Sequence, residues 1–179
     1  DGPPRHGRAS RPGRLSRMDD DPSPAARPRN PGLDIRVSST VGRLPLARER
    51  VAAIAGAVLH GERTRRALLT ITFVSDREMA RLNQRHLAHR GTTDIITFQH
   101  AVVAPGAPVV GDVYISTAQA RANAGDAGCT WREEVARLVV HGVLHTLGWE
   151  HPEGDERLRA PMWRRQERWV NRLRSEGAW

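Results

Sequence analysis

Three histidines carry the most informative spacing in the chain. The segment reads His141-Gly142-Val143-Leu144-His145-Thr146-Leu147-Gly148-Trp149-Glu150-His151. Residues four apart on a helix lie about one turn apart on the same face, so His141 and His145 aim their imidazoles in one direction. Two imidazoles so placed can grip one metal ion. Gly148 ends the helix and lets the chain turn back, and His151 then supplies a third nitrogen. Three protein ligands leave one tetrahedral position open, which is the catalytic rather than the structural arrangement of zinc. The competing reading is three ordinary histidines. The surroundings oppose it: Val135, Leu138, Val139, Val140, Val143, Leu144 and Leu147 make the helix apolar nearly all round. Such a helix offers imidazoles few polar partners, and buried polar groups without partners are costly. The expectation is one Zn2+ per chain, held by His141, His145 and His151.

The same spacing occurs in metzincin proteases, where a Glu follows the first His and acts as general base. Here that position is Gly142. It has no side chain to move a proton, which argues against peptide hydrolysis by that route.

The elements that position these histidines can be read from periodicity and capping. Leu33 to Val37 alternates apolar and polar, as a half-buried strand does. A helical stripe follows Pro45 and runs through Val51, Ile54, Ala55, Val58 and Leu59. Ala67 to Val74 (ALLTITFV) reads as a central strand. Ser75 with Glu78, Ser116 with Gln119, and Thr130 with Glu133 have capping-box spacing. They open helices predicted to end near Ala88, Ala124 and Leu147. Asp94 to Phe98 and Val109 to Ile115 read as a strand pair forming a hairpin. A final Arg- and Trp-rich helix is predicted from about Glu153 to Arg174. The order β-α-β-α-β-β-α-α-α implies a single α+β domain: a mixed sheet of about four strands packed by about five helices.

Residues 1–32 are different in kind. They are rich in Pro, Gly, Arg and Ser, with almost nothing to bury, so they read as a disordered tail ahead of a domain at 33–179. Met18 offers an alternative start, and the tail could equally be an RNA-binding arm. The whole chain has 179 residues, 28 basic residues that are all Arg, 20 acids and a formal charge of +8. The tail's seven Arg and four Asp account for only part of that excess. A basic domain fits a polyanionic partner. The lone Cys129 has no internal partner for a disulfide. No apolar run approaches the roughly 18 residues that span a bilayer, and the N-terminus lacks the apolar core of a secretory signal. The expectation is a cytoplasmic protein with no membrane partner.

HGVLHTLGWEH resembles the H-G-x-L-H-x-x-G-x-x-H signature of the YbeY family, bacterial endoribonucleases that act as ribosomal RNA maturation factors. Thr93 to Phe98 (TDIITF) is similar to the family's T-D-V-L-S-F segment. Gly111 to Ser116 (GDVYIS) is similar to its G-D-I-x-I-S segment, and Leu82-Asn83 also fits. The resemblance covers about Leu33 to Val170. It implies an α+β fold around a mixed sheet and zinc on three His. It also implies cleavage of single-stranded RNA, 3′-end maturation of 16S ribosomal RNA on the small ribosomal subunit, and ribosome quality control. No DNA partner is expected. Zinc suits that chemistry, because it activates water and polarises a phosphoryl oxygen.

One departure matters. Many family members carry an Arg important for activity where this chain has Leu87. Asn83, Leu87, His89 and Thr93 match a branch of the family that has Leu there. The positive charge near the phosphate is therefore expected from Arg90, with His89 a weaker substitute. Arg85 is expected mainly to bind RNA. Asp94 and Asp112 are candidates to orient a ligand His or the attacking water, or else bond within turns. Glu150 is either a base in reach of the metal or a solvent-facing acid. On the last helix, Arg164 and Arg168 are candidates for phosphate contacts, while Trp163, Trp169 and Val170 read as a buried stripe. Two alternatives stand beside the ribonuclease: a non-catalytic, zinc-containing ribosome assembly factor, and a metalloprotease-like hydrolase.

Overall fold

The structure is a computed structural model that describes residues 32–86, 93–101, 104–152 and 154–179. The tail 1–31 and the segment 87–92, with Leu87, His89 and Arg90, lie outside the described residues. The elements in order are β1 (Leu33–Ser39), α1 (Arg48–Gly61), β2 (Ala67–Val74), α2 (Asp76–His86), β3 (Ile95–Gln99) and β4 (Val109–Ser116). They are followed by α3 (Thr117–Asp126), α4 (Trp131–Thr146), a 3-10 turn (Gly154–Arg159) and α5 (Pro161–Ser175). The sheet order is β1-β2-β4-β3. β2 pairs in parallel with both β1 and β4, and β3 closes antiparallel on β4, so the sheet is mixed and the hairpin is present.

Alternation along the strands sorts the sheet into two faces. Leu69, Ile71 and Phe73 of β2 and Val113 and Ile115 of β4 are buried under the helices, with Val139, Val140, Val143 and Leu144 of α4 in the same core. Gly142 explains how α4 comes so close. A Cβ there would lie 2.6 Å from a methyl of Val113 and 3.1 Å from Ile95. The missing side chain that speaks against a protease base is thus also a packing requirement, and position 142 faces the sheet.

The opposite face is covered at one end by α2, through Met79 against Val74 and Ile96. Elsewhere it carries polar residues such as Thr70 and Asp112, which are register partners.

All three N-caps form, and the reciprocal bond of a full capping box is made at Ser75, whose N–H donates to the Glu78 carboxylate at 3.0 Å. The Ser75, Ser116 and Thr130 hydroxyls accept from the backbone N–H of Glu78, Gln119 and Glu133 at 3.3, 3.1 and 3.2 Å. The expected last helix needs correction. Pro161 occupies its first turn, where a missing N–H costs nothing, so residues 154–159 form a separate 3-10 turn. Trp169 and Val170 are buried as the stripe suggested, whereas Trp163 is only half-buried.

Candidate metal centre

α4 delivers His141 and His145 from one face. It ends at Thr146 with Leu147 as its cap, and Gly148 follows at φ 86°, a left-handed conformation that glycine adopts without strain. That reversal brings His151 back. The Nε2 of His145 lies 3.0 Å, and that of His151 3.4 Å, from the Nε2 of His141. One ligand atom from each of the three lies within 4.8 Å of the others. Two nitrogens on a tetrahedral zinc with bonds of about 2.0–2.1 Å stand about 3.3 Å apart, so the spacing fits.

The hydrogen bonds behind the rings test this further. The Nδ1 of His141 is 2.7 Å from the Oε1 of Gln166, which is 1% exposed on α5. The amide of Gln166 is oriented by its own Nε2, which donates to Glu167 at 3.0 Å. An amide oxygen only accepts, so His141 carries its proton on Nδ1 and leaves Nε2 bare. His151 does the same: its Nδ1 donates to the Pro152 carbonyl at 2.8 Å. With both rings in the neutral form that binds a metal, the two Nε2 lone pairs face each other across 3.4 Å. A cation at their focus resolves the repulsion, and the donor set fits a metal ion. Burial first, and the neighbouring His145 second, push His141 down to about 4, so it is in the neutral, ligating form at pH 7. Burial lowers His145 as well. Glu150, 77% exposed, sets a carboxylate oxygen 3.7 Å from the Nδ1 of His145.

The centre opens into a cleft of about 980 Å³, walled by β3 and the end of α3 on one side and by α5 and the 3-10 turn on the other. Asp94 lines it and accepts from the Asn123 amide at 2.9 Å and the Thr93 hydroxyl at 3.2 Å. Asp112 does not reach the cleft. Its neighbours in sequence, Gly111 and Val113, pack against α4, so alternation turns Asp112 to the far face, where it bonds His100 at 2.7 Å. Among the arginines expected to bind RNA, Arg85, Arg164 and Arg168 are exposed and none lines the cleft. Cys129 lines the cleft but is not part of the metal-binding cluster.

Several site residues escaped the sequence reading. Gln166 is one; its only signal is a polar side chain in an otherwise apolar stripe of α5. Arg137 is another. It is 17% exposed and bonds Glu133, Glu134 and Glu167 at 3.3, 2.9 and 3.1 Å. Arg157 is a third.

Fold and site together define a single α+β domain with a three-histidine centre able to hold a metal ion. Comparison with known proteins agrees. Residues 41–174 match the family described as Endoribonuclease YbeY. Endoribonuclease YbeY of Thermobifida fusca is 34% identical over 132 residues, covering 69% of this chain and 84% of that protein. The Chloroherpeton thalassium protein of the same name is 29% identical over 141 residues, 79% of this chain and 96% of that one. With the Aquifex aeolicus protein of that name the match is 35% over 88 residues, 59% of its length. The fold is also that of a Thermotoga maritima protein known from its solution structure. The two superpose with a TM-score of 0.56 at 22% identity, over 80% of this chain and 94% of that one. The chain belongs to the YbeY endoribonuclease family.

Proposed function

We propose that this protein is a zinc-dependent, single-strand-specific endoribonuclease of the cytoplasm. It acts in 3′-end maturation of 16S ribosomal RNA on the small ribosomal subunit and in ribosome quality control. The observation that carries the reading is the convergence of three Nε2 atoms, two of them held bare by the acceptors behind their rings. His141, His145 and His151 would hold the ion. When bound, zinc supplies Lewis acidity and water activation. Asp94 lies in the same cleft and orients the attacking water. Its own orientation is fixed by Asn123. Gln166 keeps His141 in the ligating tautomer. Arg90 supplies positive charge to the phosphate, and Arg85, Arg164 and Arg168 contact RNA outside the cleft. No helix among the described residues is long and apolar enough to cross a membrane, in keeping with this reading.

The test is cleavage of a single-stranded ribosomal RNA fragment by zinc-loaded protein, beside chelated protein and His145→Ala. Cutting by the loaded parent alone supports the assignment. Equal cutting by all three samples, or none by any, overturns it. One observation favours a second reading, a metal-holding assembly factor that does not cut: carboxylates outnumber guanidinium groups in the cleft lining.

A further inference from the structure

The cleft raises an electrostatic problem. Its lining holds six carboxylates, from Asp94, Asp126, Glu133, Glu134, Glu150 and Glu167, against two guanidinium groups, from Arg137 and Arg157. Even with a divalent ion on the three histidines, carboxylates exceed the positive charges of this lining, so a phosphodiester gains from any further cation left over to meet it. Arg137 is not left over, because three carboxylates, those of Glu133, Glu134 and Glu167, already face its single charge.

Arg157 is in a different condition. It is exposed on the 3-10 turn, and its guanidinium carbon sits 5.9 Å from the ring centroid of Trp163. No ion pair holds it among the described residues. An aromatic face holds a guanidinium differently from a carboxylate. The ring's quadrupole restrains the cation but does not neutralise it, and the in-plane N–H donors stay free for a bidentate acceptor. The location is also specific. Trp163 lies one turn before Gln166 on α5, and Gln166 bonds His141. The α5 turn that holds Trp163 is therefore next to the turn that braces the metal centre.

Resting on the ribonuclease reading, we propose that Arg157, held by Trp163, binds the substrate phosphate beside the metal centre. Phosphate oxygens meet the fork of the guanidinium, and the ring keeps that fork aimed into the cleft. Trp163 acts through Arg157 and is a positioning residue.

The test measures binding of a fluorescein-labelled single-stranded oligoribonucleotide in EDTA, where no strand is cut, across a series of salt concentrations. Zinc-driven cleavage by the same proteins is followed separately. Arg157→Ala is expected to weaken binding about tenfold or more and to flatten the slope of log affinity against log salt by about 0.7. Zinc content should not change. Arg157→Lys is expected to restore the slope but only part of the affinity. Trp163→Leu is expected to weaken binding with the slope kept, since the charge stays but is no longer aimed. Arg36→Ala removes the same charge from the edge strand β1 and is expected to behave as the parent. Binding by Arg157→Ala within twofold of the parent, or an equal loss in Arg36→Ala, overturns the proposal even if the parent cuts RNA. Arg157-dependent binding by a parent that cuts nothing keeps the proposal and removes the nuclease reading. A parent that binds no RNA in EDTA overturns the proposal, and the cleavage assay then decides the nuclease reading by itself.

Discussion

Gln166→Leu removes the acceptor behind His141 while keeping the volume that fills the gap between α4 and α5. Orienting partners of metal ligands typically tune affinity 10–100-fold. Zinc affinity by chelator competition is therefore expected to fall within that range, with the unfolding midpoint in EDTA little altered. An unchanged affinity would show that the tautomer is set by other means. Gly142 makes an opposite kind of prediction. Gly→Ala inside a helix ordinarily gains about 0.5–1 kcal/mol. Here the new methyl meets Val113 at 2.6 Å, on a buried face that cannot give way, and overpacking costs about 1–3 kcal/mol. Gly142→Ala is expected to lower the urea midpoint, and a rise would contradict the close approach of α4 to the sheet. At this scale the three ligands were legible because helical spacing and a terminating glycine are local. Gln166 was not, since nothing near position 166 announces a partner 25 residues earlier.

Among the elements, the capping box of α2 carries a pH signature. Glu78 accepts from the Ser75 N–H at 3.0 Å, and from the hydroxyls of Ser75 and Thr40 at 2.7 Å each. The backbone bond first, and the hydroxyls next, hold its carboxyl down to about 2. An unfolded chain binds that proton near the ordinary value of about 4.3. Between the two values the unfolded state carries more protons, so stability rises with pH. The contribution is complete above about pH 5 and is lost as pH falls toward about 2. Glu78→Gln is expected to narrow the difference between urea midpoints at pH 7 and pH 3, and an unaltered difference would remove Glu78 from the account. The caps of α2, α3 and α4 were readable because each lies within a four-residue pattern whose hydroxyl reaches a backbone N–H three residues on. The start of α5 was misplaced because the Arg/Trp periodicity continues through Pro161, although proline at a first helical position marks a boundary. Asp112 was assigned to the cleft on its neighbourhood in sequence. The alternation that buries Val113 and Ile115 already turns it outward.

For the whole molecule, three ligands that converge only in the folded chain make metal binding part of folding stability. Free zinc at a hundredfold excess over its dissociation constant stabilises by about 2.7 kcal/mol. Thermal unfolding is expected at a higher temperature with zinc than with EDTA, and the difference is expected to vanish in His145→Ala. A shift that survives in that variant would place the ion elsewhere. The position of α5 has a consequence in time as well as in space. The chain is made from its N-terminus, so all three metal ligands exist before the Gln166 amide that braces one of them, and before Trp163. A nascent or prematurely terminated chain ending near residue 155 holds the ligands without the helix that orients them. Competence is thereby deferred until α5 has been made, and fragments released before it are left without the finished centre.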